Sequence, residues 1–260
     1  MLPGMYAWFS YALPIAERLE LIKKAGFSAV SLWWGEEDKR RQPALARELG
    51  LAVDNIHAPF QNPDALWQEG PEGEAYLKEL LSCIDDCASL SLPTVVIHAA
   101  GFREPAAVTD RGLRRIGKLV EAAESAGVRL AFENLHRLEH LHRIFGAFPS
   151  KQVGFCYDSG HEHLYHSLAD CLSLFGDRLF AVHIDDNDGD ADAHLLPFDG
   201  SVDWTAVMNG LQSARRIDYF TLEVDFNRNH HKARLYDPLS AAEYLALAYQ
   251  RACALLERIG

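Results

Sequence analysis

Long apolar runs and a surplus of basic residues are both missing from this 260-residue sequence. No apolar segment reaches the roughly 18 residues that a membrane-spanning helix needs, so we expect no membrane partner. The chain has 25 lysines and arginines against 37 aspartates and glutamates, a formal net charge of −12. A surface this acidic repels phosphate backbones, which disfavours nucleic acid as a partner. The segment from Met1 to Met5 lacks the basic flank and apolar core of a signal peptide.

Cysteines are few and scattered. The five are Cys83, Cys87, Cys156, Cys171 and Cys253. Their spacing matches neither a zinc ribbon nor a disulfide framework, and we interpret them as small buried residues. A reduced protein with a cytoplasmic location is the corresponding expectation.

Short β-rich runs alternate with amphipathic helical stretches from end to end. The predicted strands are Met5–Phe9, Ala29–Trp33, Ala52–His57, Thr94–His98, Arg129–Glu133, Val153–Asp158, Phe180–Ile184 and Tyr219–Val224. The predicted helices are Ile15–Ala25, Pro43–Leu49, Glu74–Leu90, Asp110–Ala126, Leu138–Phe148, Leu164–Phe175, Trp204–Ala214 and Leu239–Glu257. The strands are apolar nearly throughout, which is typical of a parallel sheet covered on both faces.

Residues typical of helix caps support this division of the chain into strands and helices. Asp110 and Asp203 stand where helix N-caps belong, and Gly26, Gly50 and Gly127 stand where C-caps belong. No low-complexity segment and no Pro/Ser-rich linker marks a domain boundary. Eight β-then-α units favour a closed barrel over an open sheet. The sequence therefore predicts one α/β domain over residues 1–260, a single (β/α)8 TIM barrel.

Residues that can bind metals or transfer protons fall at the ends of the predicted strands. His57, His98, Glu133, Asp158, His183 and Glu223 lie at or near six strand ends, and His161, Asp192 and His194 lie just beyond. Taken singly, a strand-end histidine is usually hydrogen-bonded and an acid there often caps the next helix. In a barrel, however, these ends converge on one face, where active sites lie.

The convergence of charge predicts a metal site. Glu133, Asp158, Asp192 and Glu223 on one rim would repel one another and raise one another's pKa. A divalent cation removes that penalty, and mixed histidine and carboxylate ligands suit Zn²⁺, Mn²⁺, Co²⁺ or Fe²⁺. We expect one to three divalent ions per chain, with zinc, manganese, cobalt or magnesium as the candidates.

The same residues resemble the xylose isomerase-like TIM barrels, a superfamily that also contains endonuclease IV. The resemblance covers almost the whole chain. Its pieces are Ile56-His57-Ala58-Pro59, Val96-Ile97-His98, Phe132-Glu133-Asn134, Asp158-Ser159-Gly160-His161, Val182-His183-Ile184, Asp192-Ala193-His194, Gly200 to Trp204 and Leu222-Glu223. Each piece is weak alone, but together they are specific because they occur in order, one per strand.

The resemblance implies two alternative chemistries. In the sugar isomerases and epimerases, positions matching Glu133, Asp158, His183 and Glu223 hold one metal. The two glutamates then transfer protons through an enediolate, and the position matching His161 orients the substrate. In endonuclease IV, positions matching all nine residues hold three zinc ions for phosphodiester hydrolysis.

Different features of the sequence favour different members of this pair of chemistries. The complete set of nine favours a multinuclear site, and Gly189 stands where many ketose epimerases of the superfamily have a sugar-binding arginine. Apart from the ligands, however, the predicted rim loops carry 8 basic against 14 acidic residues. Such a rim is a poor platform for DNA and fits a small polar substrate better. The acidic loop from Asp185 to Asp190 is especially unsuited to DNA, although part of it is also typical of a solvated turn.

Aromatic residues near the rim are candidates for packing against the C–H faces of a sugar. Trp33, Trp34 and Phe60, together with His161 and His231, are the predicted substrate-binding residues. Trp8, Phe9, Phe102 and Phe198 are weaker candidates. Barrel-lining aromatics serve equally often as core.

We therefore predict a metal-dependent sugar isomerase or epimerase of carbohydrate metabolism, with Glu133 and Glu223 as the catalytic acid/base pair. An endonuclease IV-like zinc phosphodiesterase is the alternative, and a sugar-binding barrel without turnover is a third. The predicted partner is a small sugar. A homodimer stays open, because barrels of this group often pair.

Overall fold

Eight parallel strands form a nearly closed barrel in the computed structural model, which describes residues 1–36, 38–102, 104–166 and 169–258. The strands are β1 Leu2–Tyr6, β2 Ala29–Trp33, β3 Ala52–His57, β4 Thr94–Ile97, β5 Arg129–Glu133, β6 Val153–Asp158, β7 Leu179–His183 and β8 Tyr219–Leu222. They pair in the order β7-β6-β5-β4-β3-β2-β1-β8. A parallel bridge between Ile184 and Leu222 joins β7 to β8. The predicted TIM barrel is confirmed.

Helices cover the outside of the barrel. They are α1 Ile15–Ala25, α2 Gln42–Glu48, α3 Pro71–Leu90, α4 Asp110–Ala126, α5 Glu139–Ala147, α6 Ser159–Tyr165, α7 Cys171–Phe175, α8 Trp204–Ser213 and α9 Ala241–Leu256. Short 3-10 turns occupy Lys39–Arg41, Pro63–Leu66, Gly176–Arg178 and His231–Leu235. No helix in the described ranges is both long enough and apolar enough to span a bilayer.

Most predicted elements match the structure or differ from it only in the position of their ends, by up to three residues, but two differ further. The first strand was expected over Met5–Phe9 and lies at Leu2–Tyr6, because the apolar run continues past the sheet into a buried loop. The helix expected over Leu164–Phe175 is two helices. Asp158 accepts a hydrogen bond from the backbone N–H of His161 and starts α6 early, and Asp170 caps α7 through the N–H of Ser173. Part of the predicted helix, Ser167 and Leu168, lies outside the described residues.

Most of the predicted caps are in place. Asp203 caps α8 through the N–H groups of Thr205 and Ala206, and Gly26 and Gly127 end α1 and α4 in the left-handed conformation. The prediction for Asp110 is wrong by one residue, since Thr109 is the N-cap of α4 and Asp110 lies in its first turn. Likewise, Leu49 is the C-cap of α2, with Gly50 following it.

A polar network lies among the buried side chains at the opposite, N-terminal mouth of the barrel. The Asp54 carboxylate accepts hydrogen bonds from the Thr221 hydroxyl at 2.9 Å and the Asn55 amide at 3.0 Å, and Asn55 in turn accepts one from Ser31. Burial raises the pKa of Asp54 to about 6, although these hydrogen bonds and the charge of Arg129 oppose the rise. The protein therefore contains a carboxyl group that the fold favours in its neutral form.

We expect Asp54→Asn to raise the free energy of unfolding at pH 7.5 by about 1–3 kcal/mol, because about 1.4 kcal/mol accompanies each unit of pKa shift. The folded-state pKa lies above the unfolded value, so the contribution of Asp54 is fully present below pH 3.8 and is lost as the pH rises through about 6. Urea unfolding at several pH values would measure this difference, with Asp218→Asn as the exposed control. A variant no more stable than wild type at pH 7.5 would contradict the expectation.

Candidate active site

The C-terminal mouth of the barrel brings together all nine of the predicted metal-binding residues. His57, Glu133, Asp158 and His183 are the last residues of their strands, while His98 and Glu223 directly follow β4 and β8. His161 lies in the first turn of α6, and Asp192 and His194 lie in the loop after β7. Parallel strands place these side chains on one rim because all their C-terminal ends face the same way. Hereafter we call these nine residues the donor cluster.

Glu133 lies at the centre of the donor cluster. Its Oε2 atom is 3.0 Å from His98 Nε2 and 3.4 Å from His57 Nε2. Its Oε1 atom is 3.3 Å from His161 Nδ1 and 3.3 Å from His183 Nδ1. The two oxygens of one carboxylate therefore face two separate pairs of imidazoles.

Glu223 approaches the same point from the other side. Its Oε2 atom is 2.8 Å from His183 Nδ1, so His183 lies between the two glutamates. The backbone N–H of Glu223 donates to the carbonyl of Ile184, which ties the residue to the closing seam of the barrel. Both glutamate side chains are thus fixed around one imidazole.

A second group of donors lies on the outer side of the cluster. His161 Nε2 is 3.4 Å from Asp192 Oδ2, and His194 Nε2 is 3.3 Å from Asp192 Oδ1. One ligand atom from each of these three residues lies within 4.8 Å of the other two. The same holds for His57, His98 and Glu133 and for His57, His183 and Glu223. The donor cluster therefore offers more than one three-ligand set.

Asp185 contacts this outer group through His194. Its Oδ2 atom lies 2.7 Å from His194 Nδ1, on the opposite side of the ring from Asp192. His194 Nδ1 also hydrogen-bonds the Glu223 carbonyl at 2.9 Å, which favours a proton on Nδ1 and keeps Nε2 free for a ligand, while the nearby Asp185 carboxylate increases the basicity of the ring. Gly160 is required here, because a Cβ atom at this position would collide with the Asp185 side chain.

Burial and neighbouring imidazoles act in opposite directions on Glu133. Burial disfavours its ionised form, but His183, His98 and His161 outweigh burial and hold its pKa well below the usual range. The pKa of His98 falls to about 4 because burial outweighs the attraction of Glu133. Glu133 is therefore anionic and His98 neutral, which are the protonation states of metal ligands.

Asp158 and His161 form a contrasting pair. Burial is the main reason that the pKa of Asp158 lies well above its usual value, and the charges of Asp185, Glu133 and Glu223 add to the rise. The pKa of His161 is raised by Asp158 and Asp192, which outweigh burial. Without a neutralising ion, the Asp158 carboxyl group and the His161 imidazole thus hold protons that a cation would displace.

Several buried polar atoms of the donor cluster and of Asp185 lack a normal hydrogen bond within the described part of the chain. They are His98 Nδ1, Asp158 Oδ2, both ring nitrogens of His161, His183 Nε2, both oxygens of Asp185 and Asp192 Oδ1. Unpartnered polar atoms at this density are costly unless a ligand satisfies them. The donor set of imidazoles and carboxylates fits a divalent transition metal.

A cleft with three connected parts opens over the donor cluster. A small pocket of about 90 Å³ lies directly above Glu133, and cavities of about 260 Å³ and 790 Å³ adjoin it. Phe60 borders all three parts and stacks on His98 with ring centroids 4.5 Å apart. Trp33 packs on Phe60 at 5.1 Å and, with Trp8, lines the 260 Å³ part. These aromatics adjoin the cluster as the sequence suggested.

Two predicted substrate-binding residues lie elsewhere. Trp34 is fully buried and its indole N–H donates to Asp86 of α3 at 2.8 Å, because neighbouring residues on a strand project to opposite faces. His231 is largely exposed, with Nε2 4.0 Å from Asp188 Oδ2, and lines none of the three parts of the cleft. The predictions that Trp34 and His231 line the cleft are therefore corrected: neither residue borders it.

Of the weaker aromatic candidates, Trp8 and Phe102 border the cleft, whereas Phe9 is buried in the core. Phe198 packs near Trp204 of α8, with ring centroids 6.0 Å apart.

The loop after β7 is the main feature that sequence reasoning missed. Asp185, Asp186 and Asn187 are fully buried, so only the second half of this stretch fits the solvated turn that the sequence suggested for part of it. Asp186 accepts hydrogen bonds from the N–H groups of Phe198 and Val202 and from the Trp204 indole. Their position in the sequence could have indicated a role at the site, since these residues directly follow the end of a strand.

Asn134 was also left without a role. Its side chain donates to the Asp158 carbonyl at 2.8 Å and accepts from the Asp158 N–H at 2.7 Å, fastening the end of β5 to the end of β6.

Comparison with known proteins agrees with this architecture. Residues 19–244 match the family model described as xylose isomerase-like TIM barrel. The uncharacterized protein y4fM of Sinorhizobium fredii is 29% identical over 288 aligned residues, covering 94% of this chain and 88% of that protein. The uncharacterized protein MJ1311 of Methanocaldococcus jannaschii is 26% identical over 179, covering 60% and 59%. The chain belongs to the xylose isomerase-like TIM barrel family.

Solved structures share the same fold at low identity. An IolI protein with a bound zinc atom superposes with a TM-score of 0.78 at 19% identity, covering 100% of this chain and 98% of that one. An L-ribulose 3-epimerase superposes with a TM-score of 0.72 at 17% identity, covering 98% and 97%. A D-psicose 3-epimerase gives 0.78 at 14% identity, with both chains covered completely.

Proposed function

We propose that this protein is a metal-dependent isomerase or epimerase of a small, unphosphorylated sugar. The observation that carries the proposal is the placement of Glu133 and Glu223, which lie on either side of His183 at 3.3 Å and 2.8 Å beneath a pocket. Two carboxylates facing one pocket can remove a proton from one side of a carbon and return it from the other. Several similar folds belong to proteins named as sugar 3-epimerases, which supports the choice.

Each residue of the site has a distinct role in the proposed reaction. Glu133, Asp158, His183 and Glu223 would hold the ion, and an ion bound there would lower the pKa of the C–H bond beside the substrate carbonyl. One glutamate takes that proton and leaves an enediolate. Return of a proton to the opposite face of the same carbon gives the epimer. Return to the neighbouring carbon, with transfer of the hydroxyl proton from one oxygen to the other, gives the isomer. His161 is placed to orient a substrate oxygen.

The walls of the cleft support an uncharged substrate. Its charged groups beyond the donor cluster are the carboxylates Glu36, Glu104, Asp190 and Asp225, and the described lining residues include no lysine or arginine. Carboxylates repel a phosphate group, whereas they accept hydrogen bonds from sugar hydroxyls. The aromatic rings of Trp8, Trp33 and Phe60 offer faces for the C–H groups of the sugar.

Proton exchange and metal content test the proposal together. Protein purified without chelator is analysed for metal and then incubated in D2O with D-fructose, D-tagatose, D-psicose or L-ribulose. About one equivalent of metal per chain and deuterium uptake at a carbon beside the carbonyl are the expected results. Failure of the metal-loaded protein to exchange or bind any ketose of an extended unphosphorylated panel would overturn the proposal.

A multinuclear zinc phosphoesterase is the second candidate, and a specific observation favours it. Glu133 presents one oxygen to His57 and His98 while the other faces His183, and His161, Asp192 and His194 form a separate set. Two or three zinc ions per chain, with hydrolysis of a generic phosphodiester, would select this function. The acidic walls of the cleft disfavour it, since phosphodiesters are anions.

Asp185 provides a test of the metal site that is independent of the substrate. We expect Asp185→Asn to weaken metal binding by about 10–100-fold, because a carboxylate beside Nδ1 of a ligating imidazole increases the basicity of the ring. Competition with a chromophoric chelator would measure the affinity. Asp190→Asn removes the same charge from the same loop and should leave it unchanged. Equal affinity in both variants would show that Asp185 does not support a ligand.

A further inference from the structure

A second cavity lies at the opposite mouth of the barrel. It has a volume of about 260 Å³ and is bordered by the first residues of β3, β5, β7 and β8 and by the segment that joins α8 to β8. The donor cluster lies at the other ends of the same strands, so the two sites are separated by the length of the barrel. Nothing in the proposed sugar chemistry uses this end.

Three arginines converge on this cavity in a protein of net charge −12. They are Arg129, Arg215 and Arg216. Within the described part of the chain, none of the three has a carboxylate within 4.0 Å or donates a side-chain hydrogen bond. In contrast, Arg18, Arg115 and Arg251 each pair with a carboxylate. A concentration of arginines without carboxylate partners marks a place where an anion can bind.

The acidic neighbours neutralise these arginines only in part. Asp54 borders the cavity, but its Oδ2 atom already accepts hydrogen bonds from Thr221 and Asn55. Asp218, the other carboxylate of the cavity, is exposed. The cavity therefore keeps an excess of one positive charge even when both carboxyl groups are ionised.

Phe180 positions two of the guanidinium groups. The guanidinium carbons of Arg129 and Arg215 lie 5.3 Å and 5.0 Å from the centre of its ring, which is buried at the start of β7. A guanidinium that stacks on an aromatic face keeps its N–H groups in the plane of the group, where they can donate in pairs to a tetrahedral anion. Phe180 thus holds two of the guanidinium groups beside the cavity, where Arg215 and Arg216 are exposed to an incoming ligand.

We propose that this cavity is a binding site for a phosphate group, either free phosphate or the phosphate of a small metabolite. The ligand lies at the N-terminal mouth of the barrel and is distinct from the sugar of the donor cluster. Because the two sites share strands but no residues, phosphate binding here needs neither a metal nor the proposed catalytic activity.

Calorimetric titration of the full chain with inorganic phosphate tests this proposal. We expect one saturable site that Arg215→Ala/Arg216→Ala weakens by about tenfold or more, since each charge-assisted hydrogen bond to an anion contributes about 1.5–3 kcal/mol. The matched control is Arg114→Ala/Arg143→Ala, which removes two exposed arginines from α4 and α5 and should bind phosphate as wild type does. Arg215→Lys/Arg216→Lys keeps the charge and should also bind more weakly, because lysine lacks the paired donors.

Further titrations with glycerol 3-phosphate and glycerol identify the source of the phosphate. Tighter binding of glycerol 3-phosphate than of phosphate, lost in the alanine variant, indicates a phosphorylated metabolite. Equal binding of the two indicates free phosphate. Any phosphate held at the donor cluster persists in both arginine variants. The proposal is overturned if wild type shows no saturable binding, or if the folded alanine variant, checked by circular dichroism, binds phosphate as tightly as the control.

Discussion

Replacement of Glu133 by glutamine is expected to reduce deuterium exchange into a ketose substrate by about 10²–10⁴-fold while much of the substrate binding survives. The amide keeps the size of the side chain but cannot take up a proton. Glu133 is also the residue on which four imidazoles converge, with distances from 3.0 to 3.4 Å. The loss should therefore exceed that of any other single Glu→Gln change except Glu223→Gln.

The measurement is NMR detection of deuterium uptake, with metal supplied in excess and its content determined in the same sample. Glu104→Gln is the matched control, because Glu104 is an exposed glutamate that borders the same cleft. That variant should exchange at nearly the wild-type rate. Unchanged exchange in Glu133→Gln, with metal still bound, would exclude Glu133 as an acid/base group.

Removal of metal is expected to lower the melting temperature by about 5–15 °C. The estimate assumes metal at 100 to 1,000 times its dissociation constant, which stabilises by about 2.7–4.1 kcal/mol, and a change of about 2–4 °C per kcal/mol for a chain of this size. Without the ion, four carboxyl groups and five imidazoles share one mouth of the barrel with many of their polar atoms unpartnered. Addition of zinc, manganese or cobalt should restore the melting temperature.

Two histidine variants distinguish specific binding from a general effect of metal. His183→Ala removes the imidazole between Glu133 and Glu223, and the metal-dependent rise in melting temperature should disappear. His142→Ala removes an exposed imidazole from α5, and the rise should remain. An equal response to metal in wild type and His183→Ala would place the ion elsewhere.

The order of residues along the chain was enough to predict both the barrel and the donor cluster. Alternating strands and helices indicate a parallel sheet, and a parallel barrel carries the last residue of every strand to one rim. His57, Glu133, Asp158 and His183 could therefore be assigned to one site without any knowledge of contacts between them. This assignment requires only the positions of the strand ends, which the apolar runs define within one or two residues for most of the chain.

The direction of individual side chains depended on the phase of each strand and on contacts between distant segments. Trp33 and Trp34 are adjacent in sequence, yet one borders the cleft and the other donates to Asp86 in the helical layer. A shift of one residue in the predicted strand exchanges the two faces, so composition does not distinguish them. The first strand was placed three residues too late because its apolar run continues past the sheet into a buried loop.

The sequence by itself determined the fold class and the donors at the strand ends, because both follow from a repeating local pattern. Only the tertiary structure decided that Asp185 lies beneath His194, that Asp186 anchors its loop, and that Arg129 and Arg215 flank one phenylalanine ring. These features depend on residues that are far apart in the chain and adjacent in the barrel. An acidic loop has the same composition whether its carboxylates face water or an imidazole, and only packing against the rest of the barrel distinguishes the two.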